Sequence, residues 1–128
     1  MITTALALAL AMQSSGEGRY FPICGSGRRV TCVVDGDTFW LDRVKYRVAD
    51  IDAPEVSRPR CQAEAQMGEA ATYRFAQMMN AGPFQLSTQG SDRYGRILVT
   101  VSRSGVSLGA QLVQEGLARN WGDRRGWC

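Results

Sequence analysis

The chain has 128 residues, 45% of them hydrophobic, and a formal net charge of +3, which suits one modest folded core and excludes an intrinsically disordered chain. It contains no histidine, so any mechanism that needs a histidine base, nucleophile or metal ligand is excluded. Lys45 is the only lysine among fifteen basic residues, the rest being arginine. The arginine fork suits phosphates and carboxylates, but the excess itself reads as codon composition and only individual positions carry weight.

In chain order, the apolar run from Ala5 to Met12 is too short to span a bilayer. It resembles the core of a signal peptide, with Ala9-Leu10-Ala11 as an A-x-A cleavage site, although no lysine or arginine precedes it. Residues 1–22 are expected to be signal-peptide-like or disordered, and residues 23–128 to form the domain. The protein is then secreted or periplasmic, or cytoplasmic if the segment is not a signal, with no membrane anchor.

"RRVTCVV" alternates, with Val30, Cys32 and Val34 on one face, and predicts a strand. Asp35-Gly36-Asp37 turns the chain, "TFWL" predicts a second strand, Asp42-Arg43 turns again, and "VKYRVADI" predicts a third strand ended by Pro54. From Ala63 to Asn80 the period lengthens, and Met67, Ala71, Phe75 and Met78 mark the core face of a helix stopped by Ala81-Gly82-Pro83. "FQLST" and "RILVTVS" are two more strands around the loop "QGSDRYG". Ser107 is placed to cap a second helix with Leu108, Leu112, Val113 and Leu117 on its apolar side. Three strands, a helix, two strands and a helix is the element order of the OB-fold, a five-stranded, partly open barrel. The fold class is α+β, mainly β.

Cys24, Cys32, Cys61 and Cys128 lack CxxC spacing, which argues against zinc. Four cysteines allow three pairings, and sequence does not choose among them. Cys24–Cys32, closing a local loop, with Cys61–Cys128, tying the chain end to a mid-chain loop, is the expectation for an exported protein, and four reduced thiols are the alternative.

Three polar clusters fall at strand ends or turns: "DGDT" (Asp35 to Thr38), "RVADIDAPE" (Arg47 to Glu55) and "DRYGR" (Asp92 to Arg96). Together they supply carboxylates for a hard cation, a separate glutamate and two arginines. Strict alternation puts Arg47 on the opposite face from Asp50 and Asp52. The strand must therefore twist, bulge or end between them, and an end near Ile51 is expected. Asp50 is left as a supporting or solvated carboxylate.

In this order, "GDT", "R-x4-D-x-P-E", the following "GEAA" helix, "DRYGR" and "LVQEGLA" resemble the staphylococcal nuclease (thermonuclease) family, from about Arg29 to Trp121. The resemblance implies an OB-fold barrel that hydrolyses DNA and RNA phosphodiesters with bound calcium. By motif, Asp37 and Asp52 would ligate calcium through their carboxylates and Ala53 through its backbone carbonyl. Family members often carry threonine at that last position, and a carbonyl ligand survives the change. Asp35 and Thr38 would support these ligands from behind. Glu55 would be the general base acting on water, and Arg47 and Arg96 would bind the scissile phosphate.

The chemistry agrees. Calcium prefers oxygen ligands, a carboxylate can activate water, and arginine serves as an electrostatic clamp rather than an acid. Asp92, Arg93, Tyr94 and Trp121 are expected at the substrate, the two aromatics by stacking on bases or, alternatively, by bracing the barrel mouth. The short run after "EGLAR" leaves no room for the long C-terminal helix of the best-known member, and Cys128 is expected to take over its anchoring. The expected protein is a monomer acting on DNA and RNA, preferably single-stranded. The rival reading is a catalytically inactive OB-fold module that binds nucleic acid. A magnesium nuclease of the PD-(D/E)xK type is excluded because Lys45 follows Asp42-Arg43-Val44 rather than an acid-x-lysine signature.

Overall fold

The structure is a computed structural model that describes residues 14–15 and 19–128. Most of the segment expected to be a signal peptide or disordered, with its Ala9-Leu10-Ala11 site, lies outside the described residues.

A two-residue strand, β1 (Ser14–Ser15), is followed by β2 (Cys32–Asp35), β3 (Thr38–Leu41) and β4 (Val44–Val48), which form an antiparallel meander. Leu41 pairs with Val44 across Asp42 and Arg43, whose φ values of 50° and 72° give the left-handed two-residue turn that matches strand twist. After β4 the chain turns at Ala49-Asp50 and makes β5 (Ile51–Asp52). Helix α1 (Gln62–Asn80) crosses next, then β6 (Gln85–Ser91), β7 (Ile97–Arg103), β8 (Val106–Ser107), helix α2 (Leu108–Gln114) and β9 (Arg119–Asn120).

The five longer strands run in the order β2-β3-β4-β7-β6. β7 is parallel to β4 and antiparallel to β6. No ladder joins β2 to β6 among the described residues, so the sheet is open there and OB-like, as its element order predicts. Outside it, β5 pairs with β9, Ile51 opposite Asn120 and Asp52 opposite Arg119.

The core lies between the inner face of this sheet and α1. Phe39 sits in its middle, against the rings of Phe21, Tyr46 and Phe75. Val33, Val48, Ile51, Val99, Val101 and Leu112 are fully buried around it, and burial of each such side chain is worth about 1.5–3 kcal/mol. On α1 the expected stripe is buried at Ala71, Phe75 and Met78 and half-buried at Met67. Phe21 also belongs to this core, and its backbone is held by Asn80 on both sides, so packed structure begins before residue 23.

Two sequence expectations change. The alternation in β2 is out of phase: Val33 enters the core, whereas Val30 is exposed and Val34 half-buried. Cys32 is buried for another reason, a disulfide to Cys24 that fastens the segment before the strand. The third strand ends at Val48, not near Ile51, and resumes as β5 with a different partner. The second disulfide joins Cys61 to Cys128, so both bridges follow the expected pairing.

Candidate active site

The break after Val48 assembles the site. Arg47 leaves β4 and donates from Nη1 to the carbonyls of Val48 and Ile51, the latter at 2.8 Å. Its Nη2 lies 2.7 Å from Asp52 Oδ1 and 3.5 Å from Asp37 Oδ2. A guanidinium thus joins the "GDT" and "DAPE" motifs, and the Ala49-Asp50 turn removes the alternation that would have separated Arg47 from Asp52.

Asp37 is buried, and both of its oxygens accept hydrogen bonds. Thr38 Oγ1 donates to its Oδ1 at 3.0 Å, and the Ala53 N–H donates to its Oδ2 at 2.8 Å. Behind it, Asp35 Oδ1 accepts the Asp37 N–H at 3.1 Å. Burial above all, then the charge and side chain of Asp37 and the charge of Glu55, push the Asp35 carboxyl up to about 8 against the opposing pull of the Asp37 N–H. Gly36 is required between them, because a Cβ there would lie 2.8 Å from Ala53 Cβ and 3.0 Å from Ala71 Cβ. The oxygens of Asp37 and Asp52 suit a hard cation, and the local excess of negative charge that disfavours ionisation of Asp35 is the kind a cation offsets. No group of three or more His, Cys, Asp or Glu side chains converges for metal binding among the described residues. Arg47 brings the Asp37 and Asp52 carboxylates together at this point.

Glu55 is exposed beyond Pro54 and lines an open groove of about 370 Å³ with Asp52 and Ala53. Its loop is held from α1 by Glu64, a residue that sequence reasoning missed. Glu64 accepts the N–H groups of Arg60 at 2.8 Å and Glu55 at 3.4 Å, and the Arg60 N–H foremost holds its carboxyl below the usual range. The signal was present as the spacing of a capping box with cysteine in the cap: Cys61 Sγ accepts the Glu64 N–H, and the glutamate reaches back past the cap to the Arg60 N–H. Gly68 lets the loop approach, since a Cβ there would lie 2.8 Å from the Glu55 carbonyl and 3.1 Å from that of Pro54.

Arg47 pairs with Leu98 across β4 and β7, and Arg96 lies in the loop just before β7, two residues ahead of Leu98. Asp92, expected among the substrate contacts, turns into its own loop. It accepts from the N–H groups of Tyr94 and Arg96 and from Arg96 Nε at 2.7 Å. Burial opposes its ionisation, but these donors outweigh it and hold the carboxyl below its ordinary value. Asp92 therefore positions Arg96. Tyr94 is exposed, with the guanidiniums of Arg93 and Arg96 centred 5.1 and 5.6 Å from its ring. Trp121 is also exposed, so neither aromatic braces the core.

Asp50 is not part of this cluster. Its Oδ2 accepts the Ser107 hydroxyl at 2.8 Å, while Ser107 Oγ accepts the Ala110 N–H at the start of α2. Its Oδ1 lies where a Cβ on Gly109 would come within 2.8 Å, and its carbonyl accepts the Trp121 N–H. Asp50 joins α2 and β9 to the end of the meander rather than supporting the site or facing solvent.

The family described as "Staphylococcal nuclease homologue" matches residues 45–125. The SPbeta prophage-derived endonuclease YokF of Bacillus subtilis is 38% identical over 95 residues, covering 67% of this chain and 31% of that protein. Endonuclease YncB of the same organism is 36% identical over 95 residues, covering 67% and 44%. An uncharacterized endonuclease of Haemophilus influenzae is 28% identical over 95 residues, covering 70% and 49%. The chain therefore spans about a third to a half of the length of these relatives.

Proposed function

The chain belongs to the staphylococcal nuclease homologue family, and from that premise we propose that it is a calcium-dependent endonuclease hydrolysing DNA and RNA phosphodiesters with little sequence or sugar specificity. The observation that carries this reading is the meeting of Arg47 with Asp37 and Asp52 beside an exposed Glu55. The Asp37 and Asp52 carboxylates and the Ala53 carbonyl would hold calcium, which when bound would supply positive charge at the phosphate oxygens. Asp35 and Thr38 fix Asp37 from behind.

Glu55, free of any ion pair among the described residues, takes the proton from the attacking water. Arg47 and Arg96 remain charged and stabilise the negative charge that gathers on the equatorial oxygens as the phosphorus–oxygen bond breaks. Asp92 holds the Arg96 fork in place through two contacts from the same residue. Exposed Tyr94 and Trp121 offer ring faces to unstacked bases, which favours single-stranded substrate. Two disulfides and no free cysteine among the described residues support an oxidising compartment, so we read the protein as secreted or periplasmic, acting as a monomer. No described helix is long and apolar enough to cross a membrane.

The rival, an inactive binding module, has no need of Arg47, Glu55 and Arg96 together, and all three are present. The test is cleavage of single-stranded DNA and of RNA with calcium, with chelator, and by Glu55→Ala. Cleavage of both with calcium, its loss with chelator, and a drop of about 10²–10⁴-fold in the variant are expected. Full activity with chelator or in the variant would sink the mechanism, and binding without cleavage would favour the rival.

A further inference from the structure

The groove beside Glu55 has a second wall, formed by residues 123–127. That segment is fixed at several points. The Trp121 N–H donates to the Asp50 carbonyl and the Asp123 N–H to that of Asn120, both at 3.0 Å. Arg119 stacks on Trp127, 4.0 Å from the ring centre, and donates to the carbonyls of Arg125 and Gly126. Asp123 takes the Arg125 guanidinium in a forked pair, and Cys128 is bridged to Cys61.

Two groove-lining guanidiniums are left over. Arg124, on this wall, and Arg60, on the side of Glu55, are exposed and have no carboxylate within ion-pair distance among the described residues. Glu64, one turn on from Arg60, spends both oxygens on backbone N–H groups. A solvated arginine on a loose tail would mean little. Here the main chain under Arg124 is already ordered, so little entropy remains to be lost when it meets an anion.

We propose that Arg60 and Arg124 form a second phosphate-binding subsite, taking a phosphate that neighbours the scissile one on the same nucleic-acid strand, and that the Cys61–Cys128 bridge holds Arg124 in register. The proposal rests on the nuclease reading above. Its residues are separate from those assigned to cleavage, so the two fail separately.

The test has a binding arm and a cleavage arm. Binding of a fluorescent oligothymidylate of about ten nucleotides is measured by anisotropy, with calcium, over a salt series, in the cleavage-disabled Glu55→Gln protein. Adding Arg124→Ala or Arg60→Ala is expected to weaken binding about 5- to 10-fold and to lower the slope of log affinity against log salt by about 0.7. In the protein with Glu55 intact, either substitution is expected to lower kcat/KM on that oligonucleotide about 5- to 10-fold and to leave a dinucleotide, too short to reach the subsite, unchanged. Unchanged affinity and salt slope overturn the subsite while the nuclease reading stands, and an equal loss on both substrates overturns it in favour of a general disturbance. Absence of cleavage by the parent protein overturns the nuclease reading, and with it the proposal. With Cys61→Ala and Cys128→Ala combined, Arg124→Ala is expected to cost less than about 2-fold more. A full additional loss overturns the role of the bridge, and if the unbridged protein does not fold, the Arg124→Ala results in the bridged protein decide the subsite.

Discussion

Arg47 Nη2 lies 2.7 Å from Asp52 Oδ1, although five residues of continuous strand would have put the two side chains on opposite faces. The contact exists because β4 stops at Val48 and the chain re-enters a different pairing at Ile51. Arg47 also reaches buried Asp37, so its removal leaves a carboxylate in low dielectric without its cation. Arg47→Ala is expected to cost on the order of 3 kcal/mol in calcium-free protein and about 10²–10³-fold in kcat. Calcium should restore much of the stability and little of the rate. Chemical denaturation and cleavage assays with and without calcium check this. A variant as stable as the parent without calcium refutes the structural part.

Asp35 gives the calcium-free fold a pH dependence of definite sign. Its folded carboxyl titrates at about 8, well above an unfolded aspartate. Between roughly pH 4 and 8 the folded state therefore keeps a proton that the unfolded chain has released, and stability falls as pH rises, by at most about 1.4 kcal/mol per unit. The lowered carboxyls of Asp92, Glu64 and Asp123 act in the opposite direction, as pH falls into the acidic range, and leave the window above pH 5 to Asp35. Asp35→Asn should flatten the slope there. Melting curves between pH 5 and 9 test it, and stability that rises with pH in the parent contradicts it.

Gly68 in α1 faces the carbonyls of Pro54 and Glu55 so closely that a methyl group must push backbone aside. Gly68→Ala is expected to destabilise by about 1–3 kcal/mol. It should also lower cleavage more than its fraction unfolded explains, because the displaced loop carries Glu55. Rates measured well below the variant's melting point separate the two effects.

Cys61 and Cys128 are 67 residues apart, and their bridge closes a long loop. Its removal by Cys61→Ala with Cys128→Ala should cost about 4 kcal/mol. Because Cys61 also caps α1 beside Glu64, the loss should be accompanied by faster hydrogen exchange at the amides of Glu55 and Arg60. Unchanged exchange at those amides would show that Glu64 holds the loop without help from the bridge.

Much of this molecule was legible in its sequence. Turn residues and apolar spacing are local properties, so the strands around Asp42-Arg43, the helix ending at Asn80 and the Ser107 cap could be read directly. The phase of β2 could not, because the Cys24–Cys32 bridge buries Cys32 independently of the alternation. Nor could the role of Asp50, which its sequence left as a supporting or solvated carboxylate. Its partner is Ser107, far along the chain. Asp92 was expected at the substrate, and the structure adds that its acceptor oxygens are used within four residues to set Arg96.

The sequence by itself determined the family, the order of elements and the kinds of side chain available for chemistry. With no histidine, any catalysis has to rest on carboxylates, guanidiniums, hydroxyls, thiols or a hard metal ion. Only the tertiary structure decided which of them meet. The β5–β9 pairing sets Asp52 beside the chain after α2, the reach of Glu64 fixes the Glu55 loop, and the bridged segment places Arg124 across the groove. Apart from the reach of Glu64, which is local, these are contacts between residues far apart in the chain. Their geometry depends on how separate elements pack and pair, which no local periodicity encodes.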